Sequence, residues 1–368
     1  MSVCAGTISR RSFLGRAAAA AFAANSLPAF ALRRPPFDTP KRIILDVDTG
    51  VDDAIAILLA LRSSELKVEA ITAVAGNVPL TFTLPNTLRM VEIAGRSDVP
   101  VAAGASAPLL RRLFTASYVH GANGLGGVEF PEPKLKAVAE SAEQLIRKIV
   151  RSNPGEITLV GVGPLTNIAL ALKAEPAIVP LIKEIVVMGG SLSGGNVTPA
   201  AEFNFYVDPE AARIVFDSGV PLTMVGLNVT QKVLFGEQQL AVLEAGKTRA
   251  SEAAAKILKA TLEHMRTRRG MTAKTMAMHD PLTVAHLIDP TILTLRDEYV
   301  EIETSGEFTA GESVGYESAP IRPSPAMKTG QAATETSATE FKTNAKVAVA
   351  VDPERFFRLL LPRLTMAP

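Results

Sequence analysis

The chain has a single cysteine, Cys4, and no tryptophan. Cys4 sits in an N-terminal stretch that reads as a removable export signal, so the mature protein has no thiol, and disulfides and thiol chemistry are both excluded. Nor does Cys4 read as a lipid attachment site, because a lipidated cysteine follows the apolar segment of its signal rather than preceding it. The missing tryptophan rules out any site built on indole rings. A surplus of charge is absent too: 38 basic residues face 37 acidic ones, which leaves nothing to attract nucleic acid or an anionic membrane surface. The apolar run from Ala17 is short and alanine-rich, too weak to span a bilayer. No solenoid-type repeat is visible.

What the N-terminus does contain is Ser9-Arg-Arg-Ser-Phe-Leu-Gly15, then an alanine-rich stretch, then the small-residue sequence Pro28-Ala-Phe-Ala31. That order reads as a twin-arginine signal peptide over residues 1–31, cleaved after Ala31, with delivery to the periplasm or the medium. Removing its three arginines leaves 35 basic and 37 acidic residues, a formal charge of −2. Residues 32–41 form a proline-rich lead-in, and residues 42–368 form one large domain.

Within that domain short apolar runs alternate with helical patterns. Strands are predicted over 42–48, 68–74, 156–162, 184–189 and 221–226, with helices over 52–62, 84–94, 141–151, 166–173 and 209–218. Near-continuous apolar strands separated by helices imply an α/β fold, Rossmann-like, with a mainly parallel central sheet flanked by helices. Residues 244–268 are rich in Ala, Glu, Lys and Leu and predict one long helix, with Gly246 the only strong breaker. Residues 305–344 predict long loops around weak strand pairing, before a strand at 346–351 and a last helix.

The densest chemistry lies in Ile43-Ile-Leu-Asp-Val-Asp-Thr-Gly-Val-Asp-Asp-Ala54, where Asp46, Asp48, Asp52 and Asp53 fall within eight residues. Asp46 and Asp48, at i and i+2, share a face at a strand end, while Asp52 and Asp53 open the next helix, where the dipole favours anions. A helix cap and solvated turn carboxylates account for one or two of them, not four. An all-oxygen cluster suits a hard cation, Ca²⁺ or Mg²⁺, rather than zinc, which prefers His or Cys. The carboxyl end of a strand is also where open parallel sheets place their ligands. A calcium-loop reading fails, because Val51 stands where that loop needs glycine and Ile57 where it needs its closing glutamate. Gly161 and Gly163 make a weak nucleotide signal, since Pro164 follows and no third glycine is suitably spaced.

Other unusual stretches also follow strands: Gly76-Asn77, Gly161-Val-Gly-Pro-Leu-Thr-Asn167, Met188-Gly-Gly190, Gly195-Asn196 and Ala201-Glu-Phe-Asn-Phe-Tyr-Val-Asp-Pro209. With the aspartate run before them and His279-Asp280 after them, this succession from Arg42 to the C-terminus resembles the nucleoside hydrolase family, in particular its inosine-uridine preferring type. The resemblance implies a Ca²⁺-dependent enzyme that cleaves the N-glycosidic bond of ribonucleosides to ribose and free base. It implies Asp48, Asp53 and Asp280 as metal ligands, with the backbone carbonyl of Val162, where the family often has Thr, as a fourth. Asp48 is also the implied general base, acting on a metal-bound water with inversion at the anomeric carbon. Asp52, Asn77, Asn196, Glu202 and Asn204 match ribose-binding positions, Met188 and Phe203 are placed at the pocket wall, and Asp46 is expected to orient the other aspartates.

The same resemblance points to His279 as the acid for the leaving base, with His120, in His120-Gly-Ala-Asn-Gly-Leu-Gly126, as a second candidate. Asn123 stands there where the family commonly has Asp. The absent tryptophan turns against the purine-specific subgroup, which stacks the base between indoles, and no tyrosine lies between Val207 and Glu298 to sit near the base. Base contacts are expected from residues 234–278 and near His120, and the family forms dimers and tetramers. Two rivals remain in view. Asp46-Val-Asp48-Thr49 mimics the nucleophile motif of haloacid-dehalogenase-like phosphatases, a scheme with no use for Asp52, Asp53 or Glu202. A non-catalytic exported nucleoside-binding protein is the other, and the retained Asp48, Asp53, His279 and Asp280 argue against it.

Overall fold

The computed structural model describes residues 39–268, 274–318 and 342–367. The predicted signal and all but the last residues of the lead-in lie outside that range, as does most of the stretch predicted as long loops. The chain opens with β1 (Lys41–Val47), α1 (Val51–Leu61), β2 (Leu66–Ala73), α2 (Leu80–Ile93), β3 (Val101–Ala103) and the single turn α3 (Ser117–His120). Next come α4 (Ala142–Ser152), β4 (Ile157–Gly161), α5 (Thr166–Ala174), β5 (Glu184–Met188), α6 (Phe203–Val207), α7 (Pro209–Phe216), β6 (Leu222–Val225) and α8 (Leu227–Thr230). A short ribbon of β7 (Leu234–Phe235) and β8 (Met276–Ala277) brackets α9 (Glu237–Ala245) and α10 (Arg249–Arg268). The remainder is α11 (His279–Ile288), β9 (Leu293–Ile302), β10 (Ser313–Tyr316), β11 (Ala345–Val351) and α12 (Pro353–Thr365).

One sheet runs in the order β10-β9-β11-β6-β5-β4-β1-β2-β3. From β11 to β3 every neighbour is parallel; β9 and β10 close one edge antiparallel. The central strands β1, β4, β5 and β6 are buried on both faces, and alternate residues serve opposite cores. Ile43, Leu45 and Val47 of β1 pack with α1 and α10 to α12, while Ile44 packs with α4, α5 and α7. Helix α1 is buried along its whole length, which explains its apolar sequence on every side. Successive strands from β1 run to one edge through β2 and β3, and from β4 to the other through β5 and β6. The order therefore reverses between β1 and β4, and the crevice at their carboxyl ends is a topological switch point.

Three sequence expectations change. The single helix over 244–268 is two helices, because Gly246 is extended and Thr248 starts a new one, its Oγ1 accepting from Ser251 N at 3.0 Å. Helix α2 begins a turn earlier than predicted and carries Pro85 in its interior. Strand β9 was hidden because charges interrupt its apolar residues; Glu298, buried there, is matched by Arg296 at 2.6 Å. Among the described residues no helix is long and apolar enough to cross a membrane.

Candidate active site

The floor of the crevice is the turn from β1 into α1. Asp53, in the first turn of α1, accepts from Asp48 N at 3.0 Å through one oxygen and from Gly50 N at 2.9 Å through the other. So the helix-capping reading is correct for Asp53. Asp48 accepts from Asn77 N at 2.7 Å through Oδ2, but its buried Oδ1 has no hydrogen-bond partner. Backbone closes on this carboxylate from two sides: a Cβ on Gly76 would lie 2.2 Å from Asp48 Oδ2, and one on Gly163 2.8 Å from Oδ1. Both glycines are thus required by close approach rather than by turn geometry.

Asp280, in the first turn of α11, comes to the same place from more than two hundred residues away. Oxygens of Asp52, Asp53 and Asp280 all lie within 4.8 Å of one another, with all three residues buried. Asp48 stands beside Asp53 rather than within that closest trio. Burial pushes Asp48 well above the usual carboxylate range, and the charge of Asp53 pushes it further. Burial followed by the charges of Asp52, Asp53 and Asp48 does the same to Asp280, and Asp53 is raised to about 6 by burial and Asp52. No lysine or arginine offsets these charges among the described residues; the cationic candidates are His120, 4.0 Å from Asp52, and His279, whose pKa the charge of Asp52 raises against burial. Buried like charges with an unpartnered oxygen fit a hard divalent cation. The Val162 carbonyl follows β4 at the same level and accepts from Asn204 Nδ2 at 2.8 Å, which leaves it a second lone pair.

Above this floor is a cavity of about 210 Å³, lined by Asp52, Asn77, Val162, Met188, Asn196, Glu202, Phe203, Asn204, His120, His279 and Asp280. Several of the polar groups are already engaged. Asn77 Nδ2 donates into the floor, to the Asp53 carboxylate at 3.0 Å and to the main-chain carbonyl of Asp48 at 3.4 Å, which leaves Oδ1 to face the cavity. Glu202 is the cap of α6, accepting from Asn204 N and Gly190 N at 3.0 Å and from Phe205 N at 3.2 Å. Burial raises it to about 7 against those bonds. Asn204 spans Val162 O and Met188 O, and Asn196 Oδ1 accepts from Phe203 N at 3.0 Å. The wall is therefore stiffened by the groups that face the cavity.

The two histidines differ. His279 starts α11 with Nδ1 2.7 Å from Thr230 Oγ1, and burial lowers its pKa while Asp52 works the other way. His120 Nδ1 accepts the Val51 N–H at 3.0 Å, so its ring proton sits on Nε2. Glycine at position 50 permits this, since a Cβ there would lie 2.5 Å from His120 Nδ1. Asn123 uses its amide to donate to Val128 O at 2.9 Å and its carbonyl to accept from Leu125 N and Gly127 N at 3.0 Å, and an Asp would lose the first of these.

Asp46 departs from expectation. Instead of bracing the other aspartates, it accepts from Thr72 Oγ1 at 2.5 Å and Asn167 Nδ2 at 2.7 Å, fastening β1 to β2 and α5. That also weakens the phosphatase rival, whose nucleophile would be this carboxylate; the Thr49 hydroxyl, likewise, is buried against Thr87 at 2.6 Å. Tyr118, Thr261, Met265, Met276 and Ala277 line the cavity as well. Thr261 and Met265 sit at helical spacing inside α10, where a sequence cannot tell cavity wall from core. Tyr118 stands two residues before His120 in the single turn α3, whose approach to the cavity only the fold reveals.

Comparison with known proteins agrees with this geometry. The family model described as inosine-uridine preferring nucleoside hydrolase matches residues 43–358. The pyrimidine-specific ribonucleoside hydrolase RihA of Citrobacter koseri is 42% identical over 324 residues, 88% of this chain and 97% of that protein. Among solved structures, a plant nucleoside hydrolase is similar with a TM-score of 0.80 and 34% identity, covering 89% of this chain and 100% of the other. A purine-preferring ribonucleoside hydrolase from Gardnerella vaginalis gives 0.78 and 34%, covering 88% and 98%. A buried carboxylate cluster at the switch point of a parallel sheet, on a chain matched from its first strand to its last helix, makes this protein a member of the nucleoside hydrolase family and an N-glycosidase.

Proposed function

We propose that the protein hydrolyses ribonucleosides to ribose and free base with Ca²⁺ held by Asp48, Asp53, Asp280 and the Val162 carbonyl. The observation that carries this reading is the floor itself: buried carboxylates that raise one another's pKa and, among the described residues, pair with no lysine or arginine. The cation supplies positive charge to that cluster and acidity to water when bound. Asp48 Oδ1, with no partner of its own, takes the proton of the attacking water. Asp52, Asn77, Asn196, Glu202 and Asn204 bind the ribose hydroxyls, and their crowding of oxygen favours positive charge developing on the sugar. Attack from the floor, opposite the departing base, inverts the anomeric carbon. His279 supplies the proton to the base, and the Nε2–H of His120 donates to it.

The base meets Phe203, Met188 and the side chains of Tyr118, Thr261, Met265 and Met276. Relatives are named as pyrimidine-specific and as purine-preferring, and the apolar, methionine-rich rim here favours tolerance of both. Export by the twin-arginine route, read from residues 9–15, gives a scavenging role outside the cytoplasm, and finding mature protein only in the cytoplasm contradicts it. The deciding assay incubates purified protein with inosine, uridine, cytidine and a phosphate ester, with and without chelator. Ribose release that chelation abolishes and calcium restores supports the proposal; phosphate release in its place sinks it.

A further inference from the structure

Asn167, the second residue of α5, is 1% exposed and takes no part in the chemistry described so far. Both donors of its amide and its carbonyl oxygen are engaged. Nδ2 donates to Asp46 Oδ1 at 2.7 Å and to Ala73 O at 3.2 Å, and Oδ1 accepts from Ala105 N at 2.8 Å. These partners lie on three separate segments: β1, the end of β2, and the chain leaving β3. A flipped amide would lose all three bonds. Neighbouring backbone is shaped to admit this side chain, for a Cβ on Gly104 would lie 2.2 and 2.4 Å from its amide atoms.

The third segment has functional consequence. Ala105 is held twice, by Asn167 through its N–H and by Ala75 N, at 2.9 Å, through its carbonyl. From there the chain runs to Ala116, whose N–H meets Asn77 O at 2.9 Å, and into α3, which brings Tyr118 and His120 to the cavity. Asp46 lies two residues before Asp48 on the same strand. Asn167 thus connects the strand that carries the floor with the root of the loop that forms the opposite wall.

We infer that Asn167 is a positioning residue, setting the wall segment 105–120 at its working distance from the Asp48 floor. The inference rests on the ribonucleoside hydrolase reading for its kinetic arm and on geometry alone for its structural arm. Asn167→Leu keeps the branched outline of the side chain, in a somewhat larger volume, and removes all three bonds. It should raise KM for the better of inosine and uridine about tenfold, with kcat changed less than about threefold, because substrate is held less well while Asp48 is untouched. By hydrogen exchange, segment 105–120 should open about tenfold faster while β1 and β4 keep their protection.

The exchange of charge and amide, Asp46→Asn with Asn167→Asp, rebuilds the contact between the two side chains with donor and acceptor reversed and keeps the Ala105 bond, while the bond to Ala73 O is lost in it as in Asn167→Asp. It should bring KM and exchange back toward wild type relative to Asn167→Asp alone. If Asn167→Leu does not fold, this pair decides the matter. KM and exchange of 105–120 within about twofold of wild type in Asn167→Leu would overturn the inference, as would even loosening across the whole sheet or a double variant no better than Asn167→Asp. Wild-type protein that cleaves no ribonucleoside defeats the proposed function, and the exchange measurement then still decides the role of Asn167.

Discussion

At the floor of the cavity Asp48 is fully buried, pressed by backbone at Gly76 and Gly163 and bonded to Asn77, while at the rim Tyr118 and the neighbouring Phe114 remain 44% and 41% exposed. The floor joins the ends of β1 and β4, buried on both faces. The rim is assembled from the α3 loop and from α10, whose side chains at the cavity are Thr261 and Met265. In the floor the backbone and Asn77 fix the carboxylates of Asp48 and Asp53, while Asp48 Oδ1 is left open toward the cluster. Rim contacts are looser: Phe114 meets Tyr118 at a ring distance of 6.4 Å and Phe203 at 6.4 Å. A rigid polar floor can hold reacting atoms at fixed positions, whereas a soft aromatic and methionine rim can adapt to bases of different size. Reaction chemistry and base choice are therefore separable by mutation.

The hardest break of the floor is Asp48→Asn. Loss of the base should cut kcat by about a thousandfold, within the range for general-base catalysis. In chelator the variant should melt no lower than wild type, since one member of a repelling cluster has become neutral. Near-normal turnover would remove Asp48 as the base. Next in size is His279→Ala, expected to cost about a hundredfold with inosine or uridine but far less with an activated nitrophenyl riboside. Equal losses on both would reject its role as acid.

The contrast between floor and rim also describes what the sequence could be made to say. Four aspartates within eight residues are a local signal, and backbone spacing alone brings them to one strand end. Asp280 and Glu202 became legible only through motifs in a recognisable order, because their approach to the floor depends on the crossover of α11 and the turn before α6. Even then the capping bonds of Glu202 and the turning away of Asp46 toward Asn167 were not readable, since both depend on groups from other strands. Of the rim only the stretch 234–278 and the neighbourhood of His120 were legible, not the individual residues: a methionine at helical spacing looks the same whether it faces a core or a cavity. Strand β9 was lost for a related reason, its buried Glu298 being readable as strand only once Arg296 is seen beside it.

Removing the metal should expose the cost of the floor as a pH dependence. Asp53 is raised to about 6, and Asp46 and Glu202 to about 7, in each case chiefly by burial. Folded protein thus holds these protons more tightly than unfolded protein does. The stability they contribute is full below the ordinary carboxylate range, near 4, and is lost as pH rises through about 7. Chelated protein should accordingly melt several degrees lower at about pH 8 than at about pH 5, and added calcium should recover most of the loss at the higher pH. A melting temperature in chelator that rises over this interval would contradict a floor of mutually repelling acids.

The smallest expected effect belongs to the rim. Tyr118→Ala removes an aromatic face from the cavity mouth while leaving Asp48, Asp53, Asp280 and the Val51–His120 hydrogen bond in place. The specificity ratio for inosine against uridine should then move about threefold to tenfold, the scale of changing one apolar contact in a pocket. Turnover of the nitrophenyl riboside, whose leaving group needs little help, should hold within about twofold. Direction is informative as well. A purine presents the larger face to stack on, so inosine should lose more than uridine if the ring contacts the base. Should both substrates and the nitrophenyl riboside fall together, Tyr118 would belong to the floor's positioning rather than to base choice, and the division between the two regions would have to be redrawn along α3.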